Sequence, residues 1–195
     1  MITIPTQTDG VPVMSVFGWI MFHQHLDVSD GWDLPWADYK AGFGSIDGNF
    51  WLGLEKVHLL TSSQPYRLRV ELQDRSTNLW YSAEYWSFKI GDELNDKYRL
   101  ELAGYSGDVA NSLMDNGDWN GNGCFGCYNH NGIRFSTKDN DNDLSTDDSY
   151  NCAIKRRGGW WYNNCFFVCL TCKWSDNYWR YLGYVGVSRM LIIPQ

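Results

Sequence analysis

Residues 139–148 read D-N-D-N-D-L-S-T-D-D. Asp139, Asp141 and Asp143 alternate, and Ser145 and Asp147 continue the spacing. Carboxylates this close repel one another unless a cation sits among them. Ca2+ suits, because it takes roughly six to eight oxygens in flexible geometry. An EF-hand needs Gly at the sixth loop position and Glu at the twelfth. Leu144 and Tyr150 stand there, and no amphipathic pattern flanks the run, so a calcium loop here is of another kind. The alternative reading is a solvated acidic turn.

Six cysteines, at 124, 127, 152, 165, 169 and 172, all fall in the last 72 residues. An even count gathered in a loop-rich half favours disulfides and an oxidising compartment. Cys124-x-x-Cys127 and Cys169-x-x-Cys172 also have the form of a four-thiolate zinc site. The 41 residues between the pairs exceed the usual zinc-ribbon gap. Disulfides are therefore the preferred reading, with three possible connectivities left open. His23 and His25 are two apart, so on a strand they share a face and offer a metal two nitrogens; an inert pair is the alternative. His58 reads as packing, and His130 is placed to orient the acidic run. Catalytic motifs are missing. Gly104-Tyr105-Ser106-Gly107 lacks the last Gly of a nucleophile elbow, and Gly42-Phe43-Gly44 lacks the third Gly of a dinucleotide fingerprint.

These groups must be held by the elements around them. Trp36, Tyr39 and Phe43, after Asp33 and Pro35 and before Gly44, have helical spacing with start and stop signals. Phe50, Trp51, Leu54 and Val57 repeat it. The period then changes to two, over Tyr66–Leu72, over Trp80–Ile90 with Trp86, Phe88 and Ile90 on one face, and over Tyr98–Leu102. Gly91-Asp92 and Asn95-Asp96 between the last two runs predict an antiparallel hairpin. Met190–Pro194 reads as a final strand. On these faces Trp36, Trp51, Trp80 and Trp86 are expected in the core. Residues 104–150, rich in Gly, Asn, Asp and Ser, need a staple or a ligand to be ordered.

The whole composition agrees with one folded domain. The chain has 195 residues, 44% hydrophobic and 20% charged, with 11 Trp, 12 Tyr, 9 Phe and 19 Gly. Sixteen basic against 23 acidic residues give a net charge of -7 without a long basic tract, which argues against nucleic acid as partner. The longest apolar run, residues 16–22, is far too short to insert in a membrane. Met1–Gly10 has neither the basic nor the hydrophobic stretch of a signal peptide. The start therefore reads as trimmed, and export is inferred from the cysteines.

Taken together, W-A-D-Y-K-A-G-F-G (36–44), G-N-F-W-L-G-L-E-K-V-H-L-L-T (48–61), Y-R-L-R-V-E-L-Q-D (66–74), Y-W-S-F-K-I-G-D-E (85–93), H-N-G-I-R-F-S-T-K-D-N-D-N-D (130–143), N-C-A (151–153) and G-G-W-W-Y-N-N-C (158–165) resemble the fibrinogen C-terminal globular domain, shared by fibrinogen chains, ficolins, tachylectins, angiopoietins and tenascins. The resemblance spans residues 11–195, after a tail at 1–10. It implies an α+β globe: an antiparallel sheet with short helices and a loop-rich, calcium-binding C-terminal half. It implies Ca2+ held by the Asp141 and Asp143 side chains, with carbonyls near Ser145 and Asp147. It also implies a Cys152–Cys165 disulfide and a cis peptide at Asn164–Cys165. A ligand pocket would be formed by Arg156, Trp161, Asn164, Cys165 and Phe166.

Phe166 stands where acetyl-binding relatives carry His, which removes a polar orienter. Arg156, with Lys155 and Arg157, favours an anionic ligand or is a solvated basic turn. The function implied is a secreted, non-catalytic recognition domain that binds glycans or acetylated surface groups with calcium, as in innate recognition. The alternative is a module that binds a cell-surface or matrix protein. Relatives are multimers through N-terminal segments, so a multimer is expected of the full-length protein.

Overall fold

The computed structural model describes residues 2–4, 11–13, 15–29, 31–116, 128–145, 150–165 and 167–195. In chain order these form β1 (Ile2–Ile4), β2 (Val11–Val13), β3 (Ser15–Val16), β4 (Trp19–His25), α1 (Trp36–Ala41), β5 (Phe43–Gly44), β6 (Phe50–Trp51) and α2 (Leu54–Ser63). Then come β7 (Tyr66–Asp74), β8 (Trp80–Ile90), α3 (Glu93–Asp96), β9 (Leu100–Ala103), β10 (Ser106–Gly107) and α4 (Cys152–Arg156). The chain continues with β11 (Val168–Cys169), a 3-10 turn at Trp174–Asp176, β12 (Tyr178–Trp179) and β13 (Gly183–Pro194). Cys124, Cys127, Asp147 and Phe166 lie outside the described residues.

The strands run β10-β8-β7-β13-β4-β6-β5 in one antiparallel sheet, with β9 on β8, β3 on β4 and β12 on β13; β1 pairs with β2 apart from it. The period-two pattern decides the inner face. Tyr66, Leu68, Val70 and Leu72 of β7 are buried with Ala83 and Tyr85 of β8 and Met190 and Ile192 of β13. Leu54, Val57 and Leu60 of α2 belong to the same core. Opposite them Arg67, Arg69 and Glu71 pair with Glu84 and with one another on the outer face.

Three expectations change. Phe50 and Trp51 are a strand pairing with β4, and the helix starts only after Gly53. Gly53 has φ +112, and a Cβ there would sit 2.7 Å from the Ala41 carbonyl. The helical spacing therefore runs through a position that no helix can use. Trp86 is 57% and Trp80 45% exposed. The pairing of β7 with β8 shifts between Tyr66 and Leu68, a bulge that turns Trp86 and Ser87 out together before Phe88 and Ile90 return to the core. Trp80 shares the outward phase of Ser82 and Glu84 that precedes the bulge, and Arg189 lies over its ring.

Candidate functional site

The acidic run hangs from the core by backbone bonds. Ser136 and Trp160 exchange N–H and C=O bonds (2.9 and 3.1 Å), and Thr137 and Asn140 close a tight turn. Asn142 donates its side-chain amide to the Phe135 carbonyl at 2.8 Å. Leu144 N–H donates to Asn163 O at 2.8 Å, tying the far end of the run to the segment before Cys165.

The three aspartates then divide. Asp139 Oδ1 accepts from Trp36 N–H (2.8 Å) and Thr137 Oγ1 (2.7 Å), so it caps the start of α1. Burial pushes its pKa up, but these donors outweigh it and hold the group below its ordinary value. Asp141 and Asp143 are brought together. Asp143 N–H donates to Asp141 Oδ1 at 3.1 Å. Asp143 Oδ1 accepts from Ser145 N–H and its Oδ2 from Cys152 N–H, both at 2.8 Å. Burial raises the Asp143 pKa, and the Asp141 carboxylate beside it raises it further.

Cys152 and Cys165 are disulfide-bonded, with Cα atoms 5.1 Å apart. Asp143 therefore connects the acidic run directly to one end of this bridge. The Asn164–Cys165 peptide is trans, against the cis bond expected; Cys165 turns the chain with φ +38 instead. Trp161 is 1% exposed and donates Nε1–H to Tyr98 O at 2.8 Å, so it is core and does not face a pocket. Trp160 is likewise buried. Asn164 is exposed.

A second bridge, Cys169–Cys172, is fully buried, with Cα atoms 5.5 Å apart. These two sulfurs are bonded to each other, which removes them from a four-thiolate zinc site. Tyr162 Oη lies 3.2 Å from Cys172 Sγ and donates to Gly158 O at 2.7 Å. Gly158 is required here, because a Cβ would meet Thr171 O at 1.9 Å. His25, fully buried, sets Nδ1 3.0 Å from Leu170 O in this segment and Nε2 3.0 Å from Asp27 O. His23 Nε2 lies 3.1 Å from Ser188 Oγ. Both rings pack on Trp32, so the pair serves the core. His130 is buried too, its Nδ1 2.8 Å from Trp161 O, and among the described residues no hydrogen bond joins it to a carboxylate of the acidic run. His58 Nδ1 faces Ile90 O at 3.0 Å.

Arg156, Phe167, Asp176, Tyr178 and Tyr184 line a cleft of about 340 Å³ beside α4. Phe167, Tyr178 and Tyr184 were not singled out by spacing; they fall in the irregular segment where period carries no signal. A hollow of about 390 Å³ on the outer sheet face, bounded by Trp19, Met21, Arg69 and Arg189, shares no residue with the acidic run.

The chain matches the family model described as fibrinogen beta and gamma chains, C-terminal globular domain, over residues 13–187. Human angiopoietin-related protein 7 is 43% identical over 164 residues, covering 80% of this chain and 42% of that protein. Fibrinogen-like protein A of Apostichopus parvimensis is 37% identical over 193 residues, covering 90% of this chain and 62% of that protein. The chain thus spans about half the length of these relatives. The fibrinogen-like globe domain of human ANGPTL2 superposes with a TM-score of 0.79 at 31% identity, covering 99% of this chain and 91% of that one. Lamprey fibrin D-dimer complexed with the peptide Gly-His-Arg-Pro-amide gives 0.81 at 29%, covering 95% and 65%.

Proposed function

This chain belongs to the fibrinogen family, as a C-terminal globular domain, and from that premise we propose that it is a secreted, non-catalytic recognition module whose partner is a cell-surface or matrix protein. The angiopoietin-related proteins among its relatives support a protein partner over the acetylated glycan first expected. So does a structural neighbour that carries a bound peptide. The burial of Trp161 takes that ring out of reach of a sugar.

The observation that carries the reading is Asp143, which clasps Ser145 N–H with one oxygen and Cys152 N–H with the other while Asp141 lies against it. Asp143, whose pKa is raised chiefly by burial and further by the Asp141 carboxylate beside it, makes with Asp141 an oxygen pair that fits a divalent cation. Asp141 and Asp143 would hold Ca2+, with carbonyls near Ser145 and Asp147. The ion would neutralise the pair and fix the loop, and the protein groups around the Cys152–Cys165 bridge would do the recognition.

The test is binding of the purified chain to a panel of immobilised receptor ectodomains and matrix proteins, and to acetylated glycans, with Ca2+ and with EDTA. Capture by a protein, reduced by EDTA and indifferent to free acetylated sugar, is expected. Capture by acetylated glycans alone overturns the reading.

A further inference from the structure

The turn that leads into β4 keeps a residue its backbone does not ask for. Val16 pairs with Trp19, so Phe17 and Gly18 alone close a two-residue hairpin, with φ +51 and +85. Two positive φ angles make this a type I′ turn, whose first position favours Asn, Asp or Gly. Phe stands there instead and is 99% exposed. Neither turn geometry nor core packing accounts for that ring.

Phe17 borders the 390 Å³ hollow on the outer sheet face. The floor of the hollow is apolar because β4 and β13 lack the alternation of β7. Trp19-Ile20-Met21-Phe22 and Met190-Leu191-Ile192-Ile193 are apolar at every position, and Leu191 stands opposite Met21. Ile20, Phe22, Met190 and Ile192 belong to the core. Met21 and Leu191 line the hollow on the other face, 7% and 9% exposed. Strands apolar on both faces are strands made to be covered on both faces.

One end of the hollow is polar and held in place. Gln24 is buried and donates its side-chain amide to Ile46 O (3.0 Å) and Gly48 O (2.9 Å), which leaves its Oε1 to accept from Arg189 Nε at 3.0 Å. The Arg189 guanidinium also lies over the Trp80 ring at 5.4 Å. Among the described residues its nearest carboxylate oxygen, Glu71 Oε2, is 3.7 Å from Nη1, beyond hydrogen-bond reach. Glu71 is engaged by Arg69 at 3.0 Å. Asp47, exposed on the loop between β5 and β6, is the other acid lining the hollow. Arg189 is thus fixed through Nε while its terminal nitrogens keep their donors, and a carboxylate takes such a group through two parallel N–H···O bonds.

From this juxtaposition we infer that the hollow is a docking site for a protein segment carrying one carboxylate flanked by apolar side chains. The carboxylate pairs with Arg189, and the flanking side chains lie on Met21 and Leu191 against Phe17. The inference rests on the reading of a protein partner and adds a contact that uses neither Asp141 nor Asp143.

The experiment measures binding of the full chain, in EDTA, to an array of short end-blocked peptides. Each has a central Asp with two residues on either side drawn from Leu, Ile, Phe and Trp; matched arrays have central Asn or Lys. Binding that prefers Asp over Asn and Lys is expected. R189Q lowers binding of the Asp peptides by about tenfold, as loss of a charge-assisted pair does, and erases their preference over Asn. F17N supplies the Asn-Gly pair that a type I′ turn favours, so folding is kept. It weakens Asp and Asn peptides alike by about fivefold, through lost apolar burial. K155Q, exposed on α4 and outside the hollow, leaves binding unchanged. Thermal melts of each variant separate folding loss from binding loss. No preference for Asp, a preference that survives R189Q, or full binding by F17N overturns the site. So does sedimentation in which the chain pairs with a second copy through Phe17 and takes no peptide. Because no calcium and no receptor is used, failure of the calcium-dependent capture above and failure of this site are read separately.

Discussion

At the scale of single residues, the acidic run separates by hydrogen-bond partner, not by spacing. Asp139, Asp141 and Asp143 are equivalent in an alternating pattern, yet Asp139 serves α1 and the other two face each other. Asp141 accepts a bond that an Asn side-chain oxygen also accepts. The variant D141N therefore keeps the loop and removes one charge. Its melt without calcium is expected to equal or exceed that of the parent. Calcium should raise the parent's stability by about 2.7 kcal/mol at a hundredfold excess over its dissociation constant. In D141N that rise is expected to be lost, as measured by thermal unfolding with CaCl2 and with EDTA. The sign for Asp143 follows from its raised pKa: the calcium-free fold favours the protonated acid, so ionisation of Asp143 opposes folding as pH rises through that pKa. Calcium reverses the sense, since it needs the ionised form.

At the scale of elements, two bridges among the described residues and the close approach at Gly158 hold the irregular half. The Cys152–Cys165 loop spans 13 positions, and its closure is worth about 3 kcal/mol. C152S/C165S is expected to lose about that much in urea unfolding, and to weaken calcium binding because Asp143 grips the Cys152 amide. G158A puts a methyl against Thr171 O, and overpacking of backbone by backbone is expected to cost about 3 kcal/mol. Much at this scale was legible beforehand. Alternation marked β7 and β9, Pro35 marked the start of α1, and the acidic run and the Cys152 region stood out as chemistry. What stayed hidden depends on contacts distant in sequence. A bulge leaves no trace in a period-two pattern, so Trp86 was assigned to the wrong face. Phe50 and Trp51 continue the helical spacing of α2, and only the closeness of Gly53 to Ala41 divides strand from helix. The cleft aromatics come from segments without periodicity.

At the scale of the whole molecule, the core is unusual in enclosing three histidines, His23, His25 and His130. Burial lowers all three, His130 to about 4 and His23 well below 6.5. A base whose folded pKa is depressed is protonated first in the unfolded chain. Its contribution is complete above pH 6.5 and is lost as pH falls toward the folded value, which for His130 is about 4. The slope is about 1.4 kcal/mol per pH unit for each histidine. Urea midpoints are thus expected to fall between pH 7 and pH 5, and H130Q to fall less steeply. The same sheet has a further property. β13 lies between β7 and β4, although every other strand precedes it in the chain. A ribosome releasing this polypeptide exposes two raw edges, β7 and β4, until residues 183–194 arrive to be threaded between them. Closing the sheet therefore depends on β13, and removing residues 183–194 would leave β7 and β4 as two unpaired edges open to wrong pairing.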